Sequence, residues 1–337
     1  MLLIRQIYSV SDQTDQPKPR NFNYLPKRSV ALLSPASARY AALMQSSLFT
    51  PVASPYLVPA NGSFDLRNYP TAPAKGGPSK AANIEALTAA VAQFADLQKR
   101  LYANDRYSLL LVFQALDAAG KDGTISAVMS GINPTGCQVT SFKAPNAEEV
   151  DHDFLWRVQR ALPERGRIGV WNRSHYEEVL VVRVHPKFLD GQRIPERPPL
   201  DLLWPQRFDS INAAEQHWAR NGTVVLKFFL NVSQQEQHKR FVERIDDPSD
   251  NWKFNLNDLA ESDHWTEYQA AYQAALQATS KPWAPWYAIP ADSKSFMRRT
   301  VADIVVGTLH QLDLRFPELG PDQKAAMAVA RAKLVAG

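Results

Sequence analysis

An apolar run of strand length, LLLVFQA at residues 109–115, passes directly into the glycine turn LDAAGKDGT and then into a stretch of helical character from Gly120 to Ser130. A strand, a tight turn and a helix in immediate succession bring the strand's carboxyl end and the helix's amino end to one point. That point suits phosphate, because the first amides of a helix lack intrahelical acceptors and its dipole adds positive potential there. Lys121, directly after Gly120, can reach a phosphoryl group held on those amides. The match to the Walker A pattern G-x-x-x-x-G-K-[ST] is incomplete: Ala115 stands where the first glycine belongs, and Asp122 replaces the magnesium-binding hydroxyl residue. Without the buried strand before it, the Gly-Lys pair reads as a helix start with a solvated lysine. Asp117, inside the loop, offers the carboxylate oxygen that Mg²⁺ prefers.

The chain around this loop alternates. A helix from Ala82 to Leu101 leads in, with Ile84, Leu87, Ala90, Val91, Phe94, Leu97 and Leu101 at helical spacing. Cys137 to Phe142 and Arg167 to Trp171 read as strands separated by a helix from Ala147 to Leu162, and Thr223 to Leu230 and Trp286 to Ile289 as a fourth and fifth strand. Apolar strands joined by helices predict an α/β fold with a parallel sheet flanked by helices. Residues 1 to about 80 carry scattered proline and serine without a sustained period, so an irregular extension, disordered or wrapped over the core, is expected there. Residues 81–316 then form the main domain, and 317–337 a helical tail.

Composition narrows the function. The chain has 38 basic against 34 acidic residues, too small an excess for a nucleic-acid coat, and no aromatic-basic single-strand motif. Cys137 is the only cysteine, which excludes intrachain disulfides and multi-thiolate metal sites. The longest apolar runs have strand length, so a soluble, cytoplasmic protein without a membrane anchor is expected. His175 and His185 lie ten residues apart in a Val-rich stretch, a pattern of packing or capping residues rather than zinc ligands.

The segments ALDAAGKDGTI, GINPTG, SFKAPNAEEVDHDFLWR, NRSHYEEVLVVRVHP and SQQEQHKRFVERIDDPSDNWKF, in that order, resemble the polyphosphate kinase 2 family over roughly residues 80 to 312. The likeness is greatest to the subgroup that accepts both AMP and ADP. It implies a three-layer P-loop kinase-like fold with a helical lid at about 233–256, and reversible Mg²⁺-dependent transfer from inorganic polyphosphate to a purine nucleoside mono- or diphosphate, with Mn²⁺ as a substitute. Further copies of the same chain are the expected protein partners.

By that resemblance Asp117 and Lys121 match the family's loop aspartate and lysine, and Asn172-Arg173-Ser174 its second motif. The loop from Ala118 through Ala119, Gly120, Lys121, Asp122, Gly123 and Thr124 would hold phosphate, with Lys143 and Lys253 adding charge. Asp151, Asn172 and Arg173 would meet the acceptor nucleotide, although Asp151 and Asp153 read first as helix N-terminal charges. Asp117 and Asn172 would hold the metal, in part through water. One branch of the family has an aspartate where this chain has Asn172, which makes Glu177 a reserve ligand; Asn172 also reads as a helix cap, with Ser174 as its rival.

From Ser233 to Phe254 a capping box formed by Ser233 and Glu236 precedes Lys239, Arg240, Arg244 and Lys253. The residues alone leave open a solvated face balanced by Glu243, Asp246 and Asp247. The resemblance favours a mobile lid whose Arg240 and Arg244 act on the transferring group. Trp252, Trp265, Trp283 and Trp286 read mostly as core or lid-packing residues, with base stacking open to one of them. Two other functions share these features: an ATP-dependent nucleoside monophosphate kinase, and a non-catalytic polyphosphate-binding protein, the latter suggested by Ala115, Asp122 and Asn172.

Overall fold

Runs of Val, Leu, Ile and Phe too short for helices become the strands of a central sheet. A computed structural model describes residues 47–249 and 251–336, without the side chain of Lys253. In chain order the main elements are α1 (Lys80–Asn104), β1 (Ser108–Gln114), α2 (Lys121–Val128), β2 (Cys137–Ser141), β3 (Ile168–Asn172), α3 (Leu200–Arg220), β4 (Thr223–Asn231), α4 (Gln234–Asp246), α5 (Leu256–Ser262), α6 (Trp265–Thr279), β5 (Trp286–Pro290), α7 (Lys294–Leu309) and α8 (Pro321–Ala336).

The five strands are parallel in the order β2-β3-β1-β4-β5. β1, β4 and β5 are buried along their whole length, because helices cover both faces. α1 packs along α7, which also touches α2, while α3 packs on β4 and α6. β2, at one edge, is partly exposed, so burial on both faces does not extend to it. At the other edge the described part of the extension wraps rather than dangles: Val58 N donates to Trp286 O at 2.9 Å and Ala288 N to Tyr56 O at 2.8 Å. Its own Phe49, Val58, Phe64 and Leu66 are buried. Residues 1–46 lie outside the described residues.

The helix expected over 147–162 is instead two single turns, Ala147–Val150 and Trp156–Gln159. Asp-His-Asp at 151–153 interrupts it: Asp153 Oδ1 accepts from Leu155 N at 2.9 Å, a side-chain bond that competes with helix continuation. The sheet order places β1 between β3 and β4, with Phe113 beside both Asn172 and Phe228. The loops after β1 and β3 therefore open into the same crevice beyond the carboxyl ends of the strands, where doubly wound sheets bind ligands. Among the described residues no helix is long and apolar enough to cross a membrane.

Candidate active site

The turn after β1 bends through two left-handed residues, Ala118 (φ 58°) and Gly120 (φ 101°). Glycine adopts that conformation freely, whereas alanine there costs roughly 1–2 kcal/mol, which surrounding bonds must offset. Lys121 begins α2, and its Nζ donates to Ala115 O at 2.7 Å and Leu116 O at 3.3 Å, with Asp117 Oδ1 at 4.0 Å. Burial pulls the ammonium below the usual lysine range, opposed by the charge of Asp117. The amides of Lys121, Asp122 and Gly123 precede the first intrahelical acceptor, and all three residues line a cavity of about 540 Å³. Thr124, expected to bind phosphate, is fully buried and its hydroxyl donates to Gly120 O at 2.9 Å, so it closes the turn from behind.

β3 delivers the second motif. Arg173 takes a left-handed φ of 63°, and its Nη2 meets Asp117 Oδ1 at 2.6 Å, while Nη1 lies 3.9 Å from Glu177. Burial works against the guanidinium charge, but Glu177 and Asp117 outweigh it and hold the group above its ordinary value. Gln114, at the end of β1, fixes Glu177 with a 2.7 Å bond. Ser174 Oγ accepts from Tyr176 N at 3.2 Å, which makes it the cap. Asn172 turns its amide to Asp122 at 2.5 Å.

A second cavity, of about 500 Å³, has apolar walls from Phe142, Val150, Phe154, Val181, Val182 and Phe188, with Lys143 at its rim. The two cavities share Asp117, Arg173 and Asp258. Asp258, on α5, is raised above the usual carboxylate range by burial and by Asp117, and Arg244 lies 3.4 Å from it. Asp151 pairs with Arg193 and lines a third cavity, which adjoins the second through Val150, Phe154, Arg157, Glu178 and Gln192.

The lid expectation divides. Ser233 Oγ caps Glu236 N at 3.1 Å, but Glu236 does not reach back to complete a box. Its carboxylate takes Arg240 Nε at 2.9 Å. Arg240 is 5% exposed and donates its other four N–H groups to carbonyls: Ala118 O, Ala119 O, Ala291 O and Asp292 O. It braces the phosphate loop from beneath and also borders the first cavity. Arg244 lines the first cavity, whereas Lys239 is 63% exposed between Glu236 and Glu243. The side chain of Lys253 lies outside the described residues. Trp286 is core, while Trp252 is 73% exposed.

His175 packs edge-on between Trp171 and Trp218, and His185 Nε2 lies 2.9 Å from Glu261. Among the described residues no group of three or more His, Cys, Asp or Glu is placed to hold a metal. That donor set does not form a protein cage, but one carboxylate beside a phosphate-binding loop fits Mg²⁺ bound largely by substrate phosphate and water. Gln237, Asp258, Lys294 and Arg298 were not singled out from sequence, yet all stand at the site. Lys294 and Arg298 lie one turn apart directly after the fifth strand and both line the first cavity, a spacing visible in the sequence. Arg298 Nε is buried without a hydrogen-bond partner.

A family model described as polyphosphate kinase 2 matches residues 78–317. The chain belongs to the polyphosphate kinase 2 family. An ADP-polyphosphate phosphotransferase of Rhodopseudomonas palustris is 48% identical over 272 residues, 80% of this chain and 94% of the relative. An AMP/ADP-polyphosphate phosphotransferase of Meiothermus ruber is 41% identical over 266 residues, 78% of this chain and 95% of the relative. The crystal structure of polyphosphate kinase 2 from Arthrobacter aurescens TC1 matches with a TM-score of 0.74 and 35% identity, covering 85% of this chain and 98% of that one. This polyphosphate kinase 2 member thus carries the expected fold along with the motifs that suggested it.

Proposed function

We propose that the protein transfers phosphoryl groups from inorganic polyphosphate to AMP and to ADP, with polyphosphate in the first cavity and the acceptor nucleotide in the second. The observation that carries this reading is the meeting of the two cavities at Asp117, Arg173 and Asp258. A repeating polyanion suits the first, which presents the loop amides with Lys121, Arg173, Arg244, Lys294 and Arg298. The second offers apolar walls to a base and ribose and opens onto the junction at its phosphate end.

Transfer at the junction makes one bond and breaks one. An oxygen of the acceptor's terminal phosphate attacks the end phosphorus of the donor, and the bridging P–O bond breaks to leave polyphosphate one unit shorter. Little covalent chemistry falls to the protein, which positions both partners and offsets charge. Lys121 exchanges its carbonyl acceptors for an oxygen of the moving group, and Arg173 bridges the phosphates on either side through its paired N–H groups. Asp117, with Asn172 in part through water, would hold Mg²⁺, which would supply further charge on the phosphates. Arg244, 3.4 Å from Asp258, adds a cation on the donor side of the junction.

Incubation with Mg²⁺, long-chain polyphosphate and either AMP or ADP, followed by chromatography of the nucleotides, tests the reading. ADP from AMP and ATP from ADP are expected. Product from ADP alone would remove AMP as an acceptor, and product only when ATP is the donor would make the protein a nucleoside monophosphate kinase.

A further inference from the structure

From Ala115 to Gly120 every backbone carbonyl of the phosphate loop meets a donor from within the protein. Lys121 takes Ala115 O and Leu116 O, and Thr124 takes Gly120 O through both its amide and its hydroxyl. The remaining three are held from α4. Gln237 Nε2 donates to Asp117 O at 3.0 Å, and Arg240 Nη1 to Ala118 O at 3.2 Å and Ala119 O at 2.7 Å. Ala119 N is kept within the loop, donating to Leu116 O at 3.3 Å; the other peptide groups whose carbonyls are drawn inward turn their amides outward, the arrangement that binds an anion.

Arg240 borders the first cavity, but all five of its N–H groups are already engaged within the protein. Its Nε meets Glu236, and Nη2 ties Ala291 O at 2.6 Å, which links the loop to the end of β5. Gln237 is 2% exposed, and its Oε1 is buried without a hydrogen-bond partner, so its one bond to Asp117 O is what keeps the amide in place. Both residues face the loop from one side of α4, three positions apart, and Ser233 fixes the start of that helix.

We propose that Gln237 and Arg240 are positioning residues that hold the phosphate loop with its amides toward the donor, and that Arg240 does not touch the transferring phosphoryl. The inference rests on placing polyphosphate at the loop. A point charge cannot replace the guanidinium here, because lysine cannot span Ala119 O and Ala291 O together. A residue acting by charge on the ligand would instead tolerate lysine.

Calorimetric titration of tripolyphosphate and, separately, AMP into the wild type, Arg240→Lys, Arg240→Ala and Gln237→Met, with Mg²⁺ present, decides between these. Both Arg240 variants are expected to weaken tripolyphosphate binding about tenfold or more, and Gln237→Met roughly threefold, the range for losing charged and neutral hydrogen bonds. AMP affinity should hold, and in turnover the KM for polyphosphate should rise while that for the nucleotide stays. Wild-type tripolyphosphate affinity in Arg240→Lys would overturn the proposal. A loss that falls on AMP instead would uphold the brace and overturn the placing of polyphosphate at the loop. Should the Arg240 variants fail to fold, Gln237→Met decides alone, and unchanged tripolyphosphate affinity there would also overturn it.

Discussion

Two buried lysines stand on neighbouring strands or their loops and are held in opposite ways. Lys121 leans on two carbonyl oxygens, with its nearest carboxylate 4.0 Å away. Lys227, in the middle of β4, is wholly buried and gives all three protons to fixed partners: Glu215 at 2.5 Å, Tyr176 Oη at 2.8 Å and Thr279 O at 2.8 Å. Burial brings its pKa down to about 8 against the pull of Glu215. A lysine saturated by a buried carboxylate cannot leave it without stranding a charge. A lysine resting on neutral carbonyls can exchange them for phosphate. Lys227 therefore organises the fold, joining β4, α3 and the turn that carries Arg173, while Lys121 remains available for chemistry.

The largest effect that would break this contrast lies at the saturated lysine. Lys227→Met should destabilise the protein by about 3–5 kcal/mol, because the buried carboxylate of Glu215 loses its lysine cation, while turnover per folded molecule stays within a few-fold. Adding Glu215→Leu should restore most of the loss. Urea unfolding of the three proteins measures this, and a single variant as stable as the wild type would show that the network is not saturated. Lys121→Ala should do the reverse: roughly 3–4 kcal/mol of transition-state stabilisation lost, or two to three decades in rate, with the unfolding midpoint nearly unmoved.

Asp117→Asn should also suppress transfer, but with partial recovery as Mg²⁺ or Mn²⁺ is raised, which the lysine variant should not show. Equal behaviour of the two across a metal titration would remove the metal role from Asp117. Arg298→Ala should raise the KM for polyphosphate about tenfold, the low end for a charged hydrogen bond, and leave the acceptor KM alone. Removing residues 1–45, which carry no motif, should change activity least, within a few-fold; a hundredfold loss in a folded protein would contradict that.

The sheet and the loop were legible in sequence because strands buried on both faces and a glycine turn leave local marks. The places of Lys121, Asp117 and Arg173 on the wall of the first cavity followed from their positions at strand ends. Arg240 did not, because helical spacing shows which cations share a segment and not which face turns inward; only the packing of α4 against the loop puts it beneath Ala118 and Ala119. Asp151 pairs with Arg193, more than forty residues away in the chain, a pairing no local pattern records. Asp258 gains its place from the fold alone, being remote in sequence from both Asp117 and Arg173.

Steady-state rates measured over a grid of polyphosphate and ADP concentrations test most directly the claim that donor and acceptor occupy separate cavities meeting at Asp117 and Arg173. Simultaneous occupancy predicts reciprocal plots that intersect, as a ternary complex requires. Parallel lines, the signature of one site used in turn through a phosphorylated enzyme, would contradict it.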